Sequence, residues 1–479
     1  MGKSLHVKEE EESLENSIEK RTEPYKAASK RNWQIFKAYY ESHPEALFYP
    51  MTIEKDTAFH IAASQGDTNL IRELLGIISE PSKIREVLTQ LTDEHGNTVL
   101  HEVAAIGNVR AAAFMVSKLR ESCEGNRELE QSLKVKNKLG ETPLYRAAAL
   151  GKTRMAQYLA SEIKKVGGNI RGHFYRYDQI TILHVAVLGR HFETAFWLLK
   201  KARELGQAKE MNGLTCLHLL ALMPSAFPST SRMGRLKKFI YSCLPRIPED
   251  EDDEDEDELG SKNQTGNVLR LDVAMNFSAC YRYKQQFQGC LLPFGKESLK
   301  AWNGPKMEEI SKEKRNHAFS KRLVKLLVTQ DVSWNASFLA QDITISIGLG
   351  QGRKAEGTSE VIPLDKTRSS SPETPLIMAA RTGIKEIVYE ILKEYPEAVD
   401  HVSENEQNIL HVAIMHRNEK IFNLIQKKVI NLHRLASKID HNGYTILHHV
   451  ADMTYYHATR PGPAFQLQEE LEWSKVSLY

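Results

Sequence analysis

The stretch Thr181-Ile182-Leu183-His184-Val185-Ala186 decides the fold, because close variants of it recur along the chain. Its first four letters, TILH, return unchanged at 445–448. Aligned on the histidine, related stretches have anchors at positions 60, 101, 145, 184 and 218, and again at 377, 411 and 448. A weaker copy opens the series at 25–28. Intervals of 34 to 44 residues within each series indicate a structural repeat rather than two halves of a catalytic site.

Each copy predicts a pair of helices. The threonine hydroxyl caps the first helix, and proline, where present, occupies its first position. The histidine at the third position can bond back to the cap, and glycine six residues after the anchor ends the helix. We therefore expect structural anchors at Thr57, His60, Gly66, Thr98, His101, Gly107, Thr142, Pro143, Gly151, Thr181, His184, Thr215, His218, Thr374, Pro375, Gly383, His411, Thr445 and His448.

These motifs resemble the ankyrin repeat, whose T-P-L-H-x-A signature is matched closely at 142–148, 181–186 and 374–380. The resemblance implies helix pairs stacked into a right-handed solenoid, with a concave surface formed by the first helices and the hairpin loops. We predict an all-α fold, an ankyrin-repeat solenoid in two blocks, 20–224 and 373–456. A long, partly disordered insert would separate them.

The remaining segments carry biased charge. Ten consecutive carboxylates at 249–258 should be disordered, as should the acidic residues 1–19. Within the insert and linker, 225–372, a basic amphipathic helix is expected at 307–330. Its apolar face would pack as the outer helix or cap of the second block; a partner-helix or calmodulin-like target and a contact with anionic lipid remain alternatives.

A second resemblance covers about the whole chain. The phrases at 408–413, 442–448 and 462–473 look like those of plant ankyrin proteins of the PGG-domain membrane family, of the accelerated-cell-death and salt-tolerance type. This implies a scaffold in plant stress or defence signalling, and 457–479 reads as a juxtamembrane-like tail. Family members continue into a PGG motif and membrane helices, which we do not find here.

We therefore expect a cytoplasmic protein, and the resemblance implies a location at the cytosolic face of the plasma membrane. The alternative is the cytosolic regulatory part of a multi-pass membrane assembly.

Motifs for chemistry are weak. No zinc spacing such as HExxH occurs among the 18 histidines, so no metal, cofactor or catalytic residue is predicted. The glycines of 342–352 have the wrong spacing for a phosphate loop and predict a linker, in which Ser371-Pro372 is a candidate phosphorylation site.

The formal charge of +2 includes the ten carboxylates, which leaves +12 spread over the rest of the chain rather than in a nucleic-acid-binding block. The five cysteines form no CxxC pair and predict reduced thiols. The expected partners are proteins, with a membrane protein or weak peripheral membrane contact possible, and neither nucleic acid nor a small-molecule substrate.

Overall fold

The computed structural model describes residues 22–231, 233–244, 304–331, 373–429, 432–452, 454–455, 468 and 470–471. The acidic run, the glycines of 342–352, the linker with Ser371 and residues 1–19 lie outside the described residues. Two units are distinguished, one formed by Met1–Ser231 with Phe319–Tyr479 and the other by Arg232–Ala318.

The first unit is a stack of eight repeats, numbered here by the residue that precedes the first helix of each: Thr57, Thr98, Thr142, Thr181, Thr215, Thr374, Asn408 and Thr445. The first helix of each repeat is called the inner helix and the second the outer helix. The inner helices are Ala58–Ser64, Val99–Ile106, Pro143–Ala149, Ile182–Leu188, Cys216–Ala221, Pro375–Thr382, Ile409–Met415 and Ile446–Ala451.

The outer helices follow after a short turn. They are Thr68–Gly76, Val109–Ser122, Thr153–Lys165, Phe192–Lys201, Lys385–Glu394 and Glu419–Lys428. A further helix pair, 22–29 and Trp33–Ser42, precedes the first repeat. The described part of the chain contains no strand, and pairing is limited to isolated bridges such as that between Thr92 and Thr98. The all-α prediction is confirmed.

Unequal intervals between anchors have a local cause. Repeats 1 and 2 each carry an additional helix after the outer one, Pro81–Thr89 and Asn126–Leu133. Both helices bury leucines against the core, Leu88 in the first and Leu129 and Leu133 in the second. The extra residues therefore widen the outer side of the stack without displacing the inner helices, which keep contact from each repeat to the next.

The two blocks are contiguous in space. The inner helix of repeat 5, Cys216–Ala221, packs directly against that of repeat 6, Pro375–Thr382. The Thr382 hydroxyl donates a hydrogen bond to the Ala221 carbonyl across this contact, at 2.8 Å. One hydrophobic core runs through both blocks.

The outer helix of repeat 5 comes from far along the sequence. Helix Gly304–Val328 contributes its residues from Phe319 onward to the first unit. Leu323, Val324, Leu327 and Val328 are buried in the common core. The Phe319 ring lies 5.9 Å from that of Phe196 on the outer helix of repeat 4. Repeat 5 is therefore split, with the insert lying between its two helices.

This arrangement differs from the sequence-based expectation, which placed all of 225–372 outside the repeats and assigned the apolar face of 307–330 to the second block. The physical reason is that repeat 5 has no amphipathic helix directly after Ala221 to cover its inner helix. Two polar contacts fix the distant helix in place. The Ser320 hydroxyl donates to the Ala226 carbonyl at 2.6 Å, and the Thr215 hydroxyl donates to the Asp331 carboxylate.

The second unit contains helix Arg235–Cys243 and the first part of Gly304–Val328. Ile240 and Ile310 form its small buried core. The Lys314 ammonium donates to the carbonyls of Tyr241 (2.8 Å) and Leu244 (2.6 Å). A cation there is favourable because a helix leaves its last carbonyls unpaired.

The split repeat predicts a contrast between two residues of one helix. Replacing Leu327, which is fully buried, by Ala should lower the free energy of unfolding by about 2–4 kcal/mol, the usual cost of deleting a core leucine. Replacing the exposed Lys325 by Ala should change it by less than about 0.5 kcal/mol. Urea unfolding followed by circular dichroism measures both, and equal small effects would contradict the placement of this helix in the core.

Candidate interaction surface

Each anchor histidine closes the start of its own inner helix. In repeat 2 the Thr98 backbone N–H donates to Nδ1 of His101 at 3.1 Å, and the Thr98 hydroxyl lies 2.8 Å from the same nitrogen. Repeats 1, 5 and 8 show the same pair of contacts for His60, His218 and His448. Because Nδ1 accepts a backbone N–H, the neutral ring carries its proton on Nε2.

In repeats 1, 2 and 4 the second ring nitrogen joins one repeat to the next. Nε2 donates to the carbonyl of the residue that precedes the next cap: His60 to Asn97 (3.0 Å), His101 to Glu141 (2.9 Å) and His184 to Leu214 (3.2 Å). This bond was not predicted from the sequence. Because the acceptor is a backbone carbonyl, the residue that carries it can be Asn, Glu or Leu. The sequence shows its position only because it always comes directly before the next cap threonine.

Repeat 3 has tyrosine in place of the anchor histidine and uses two residues to do the same work. The Tyr145 hydroxyl donates to the Ile180 carbonyl at 3.2 Å, which is the bond to the next repeat. The ring of His173, buried at the base of the following loop, supplies Nδ1 at 3.1 Å from the Thr142 hydroxyl. Burial, with Lys134 and Lys136 nearby, lowers the pKa of His173 to about 4. A role for His173 was not predicted from the sequence.

Anchors in the second block vary. In repeat 7 the Asn408 carboxamide accepts from the His411 backbone N–H at 3.1 Å, so Asn replaces Thr as the cap. Thr374 begins an inner helix with Pro375 at its first position, but its buried hydroxyl has no hydrogen-bond partner among the described residues. The expected capping role of Thr374 is therefore wrong; the rigid φ of proline sets this helix start instead.

The expected helix-ending glycines occupy left-handed backbone. Gly66, Gly107, Gly151 and Gly383 have φ of 69°, 85°, 66° and 81°. Repeats 4 and 7 place arginines in this conformation instead, Arg190 at 59° and Arg417 at 56°. A side chain there is strained, which makes the two arginines exceptions that need a compensating contact.

Loop tips of neighbouring repeats are tied together through their backbones. The N–H of Glu94 donates to the Glu54 carbonyl (2.7 Å), that of Lys138 to His95 (3.0 Å) and that of Tyr177 to Leu139 (3.0 Å). The same bond recurs between His441 and Asn405 at 2.9 Å. The backbone of each of these tips is thus held against that of the neighbouring tip.

Large apolar side chains are exposed at the ends of four consecutive inner helices. Ile106, Leu150, Leu188 and Leu222 each lie at or just after the last residue of an inner helix, in four consecutive repeats. They are 42%, 42%, 49% and 51% exposed, whereas the leucines near the start of the same helices are almost fully buried. These four residues are called the recognition row. The tips of the same region add Leu139, Tyr177 and Met211.

Reactive groups are not assembled into a site in the described ranges, where no three His, Cys, Asp or Glu side chains lie close enough to hold a metal ion. Cys123 and Cys216 are not in disulfides. No helix among the described residues is both long and apolar enough to cross a membrane.

Comparison with known proteins agrees with the geometry. A family model described as ankyrin repeats (3 copies) matches residues 123–209. A chain of the crystal structure of the yeast ribosomal protein Rps3 in complex with its chaperone Yar1 is 19% identical, with a TM-score of 0.27. The alignment covers 30% of this chain and 91% of that one, and a score this low supports no further argument. No curated protein matches the sequence.

The fold is therefore an ankyrin-repeat solenoid, as predicted, with the insert in the middle of the chain. Ankyrin repeats typically form non-catalytic scaffolds for protein–protein interaction, and no enzyme family is indicated. No comparison here supports the PGG-domain plant family.

The inter-repeat bond predicts unequal effects at two anchors. Replacing His101 by Ala leaves the buried Thr98 N–H and Glu141 carbonyl without partners and should cost about 2–4 kcal/mol of unfolding free energy. The same change at His448, which is exposed, should cost about 1 kcal/mol or less. Thermal or urea unfolding measures the difference, and a larger loss at His448 would contradict the role given to Nε2.

The anchors also predict a pH dependence. Burial lowers the pKa of His101 to about 4, against about 6.5 in the unfolded chain. The unfolded state therefore binds the proton first, and stability from this residue is present above pH 6.5 and lost as the pH falls toward 4. Unfolding free energy of the wild type should fall between pH 7 and pH 5 by about 2 kcal/mol more than that of His101→Gln. Equal falls in the two proteins would refute this.

Proposed function

We propose that this protein is a scaffold whose protein partner binds across repeats 2–5, through the recognition row and the neighbouring loop tips. The observation that carries the proposal is the recognition row itself. Each of its four members is a large apolar side chain left about half exposed at the end of an inner helix, five residues after the anchor in repeats 2 and 3 and four residues after it in repeats 4 and 5. Exposed apolar side chains are common singly, but a regular line of them marks a contact surface.

The rest of the stack shows that the fold does not require this exposure. The residues of repeats 1 and 6 that correspond to Ile106 and Leu150 are polar, Gln65 and Thr382. Covering the exposed half of one such leucine is worth about 1 kcal/mol, so the row can contribute about 4 kcal/mol to binding. Apolar tips such as Leu139 and Met211 add to the same region.

Rigidity supports the same surface. The tips are joined by backbone hydrogen bonds and the inner helices by the anchor histidines, both described above. A partner would then meet side chains whose backbone is already ordered, which reduces the entropy lost on binding. The tip bonds join repeats 1–4, and the anchor bonds, with Tyr145 serving in repeat 3, join repeats 1–5, so the backbone beneath the row is linked from each repeat to the next.

The biological process is proposed from sequence resemblance alone. Phrases similar to plant ankyrin proteins of the PGG-domain family motivate a role in stress or defence signalling near the plasma membrane. The alternative is that the partner is a multi-pass membrane assembly that this chain regulates. Affinity capture from plant membrane and soluble fractions separates them: partners confined to the soluble fraction would contradict the membrane alternative.

The recognition row gives a direct test. Leu150→Glu with Leu188→Glu should weaken binding of captured partners at least about tenfold while leaving stability within about 0.5 kcal/mol, because both side chains point partly to solvent. Ile35→Glu is the control, since Ile35 is also a large exposed apolar residue, 58% exposed, but lies on the outer helix of the leading pair. Loss of partners in the control, or retention in the double variant, would contradict the proposed surface.

A further inference from the structure

A segment of the chain itself binds along the side of the stack where inner helices turn into outer helices. Residues 223–231 follow the inner helix of repeat 5, at the place in sequence where other repeats begin their outer helix. Within them the only helical part is the short 3-10 turn Pro224–Ala226. These residues are called the edge segment, because they contact the turn side of several repeats.

The first part of the edge segment is held by repeats 4 and 5. The Arg190 guanidinium, from the turn of repeat 4, donates to the Ser225 hydroxyl at 2.7 Å. The Ser320 hydroxyl, from the outer helix of repeat 5, donates to the Ala226 carbonyl at 2.6 Å. Phe227 comes next and is fully buried in the core. An apolar side chain and two polar contacts thus fix this part of the segment.

Repeats 6 and 7 hold the last part of the same segment. The Glu386 carboxylate accepts from the Ser229 backbone N–H at 3.1 Å and also from the Ser229 hydroxyl. The Lys420 ammonium donates to the Ser229 carbonyl. Glu386 and Lys420 are each the second residue of an outer helix, nine residues after the anchor of their repeat. In both repeats this position binds polar groups of a chain that crosses the turns.

The equivalent position is exposed in the first block. In repeats 2, 3 and 4 it carries Arg110, Arg154 and Glu193. Arg110 comes four residues after Ile106, and Arg154 comes four residues after Leu150. Two members of the recognition row are therefore each followed, across the turn, by an exposed arginine.

These charges specify what a crossing chain should carry. Arginine binds a carboxylate through two parallel hydrogen bonds, which makes Asp or Glu its best partner in a peptide. A chain that crosses repeats 2 and 3 gains most from carboxylates placed beside apolar side chains that cover Ile106 and Leu150. Next to repeat 4, Glu193 favours a hydroxyl or an amine, in the way that Glu386 binds Ser229.

We propose that the partner of the recognition row presents a non-helical segment rich in acidic and apolar residues. This segment crosses the turns of repeats 2 and 3 as the edge segment crosses those of repeats 4–7. Its apolar side chains cover the row, and its carboxylates pair with Arg110 and Arg154. The inference rests on the proposed function, because it names the chemistry of the partner that the row binds.

Two short labelled peptides test this charge preference on the full chain. Both contain leucines among serines; one adds aspartates, and the other adds lysines at the same places. Fluorescence anisotropy at low salt measures their binding to the wild type, to Arg110→Glu with Arg154→Glu, and to Arg127→Glu. Arg127 is the matched control, because it is an exposed arginine of repeat 2 that lies on the additional helix Asn126–Leu133.

We expect the aspartate peptide to bind the wild type and Arg127→Glu at least about tenfold more tightly than the lysine peptide, since two ion pairs replace two repulsions. Arg110→Glu with Arg154→Glu should reverse this preference. Equal binding of the two peptides, no binding of either, or an unchanged preference in the double variant would overturn the inference. So would arginine-dependent binding of phosphatidylserine vesicles with neither peptide bound, which would assign this surface to a membrane.

Captured partners separate this inference from the proposed function. Partners that are lost in Leu150→Glu with Leu188→Glu but kept in Arg110→Glu with Arg154→Glu would support the row and contradict an acidic segment. Partners kept in the leucine variant would contradict the row itself, whichever peptide binds more tightly.

Discussion

The anchor histidine is the constraint on which the rest of the stack depends. One neutral imidazole accepts from the backbone of its own helix start and donates to the backbone of the next repeat. It can do both only while it lacks the second proton, and burial keeps it so. In repeats 1, 2 and 4 helix formation and repeat stacking are therefore coupled through a single ring, so that each of these repeats helps to order its neighbour.

The surface follows from this internal order. The anchor histidines and the backbone hydrogen bonds between tips hold neighbouring repeats together. Side chains at the tips and at the ends of inner helices are therefore not needed to hold the repeats together. In repeats 2–5 those positions carry apolar residues. In repeat 7 the equivalent place carries His416, in contact with Tyr455. One scaffold thus presents two kinds of surface along its length.

Much of this could be predicted from the sequence. Repeated Thr-x-x-His and glycine six residues later define the inner helices because both features act within a few residues of chain. Contacts between distant residues could not be predicted in the same way. The His173 ring contacts the Thr142 hydroxyl, 31 residues earlier in the chain. The acceptors of the Nε2 bonds are backbone carbonyls, which any residue can supply. The sequence predicted the apolar face of the helix from Phe319 onward, but not the repeat against which this face packs. Periodicity identifies an apolar face without identifying the element that the face contacts.

The split fifth repeat has a consequence for how the protein is made. About a hundred residues separate Ala221 from the outer helix that covers its repeat, and a ribosome takes roughly 5–20 s to add that many. During this interval the nascent chain can complete repeats 1–4 but not repeat 5, whose inner helix includes the otherwise buried Leu217 and Leu220. Synthesis therefore passes through a stage in which an apolar end of the stack is uncovered, at a point set by the length of the insert.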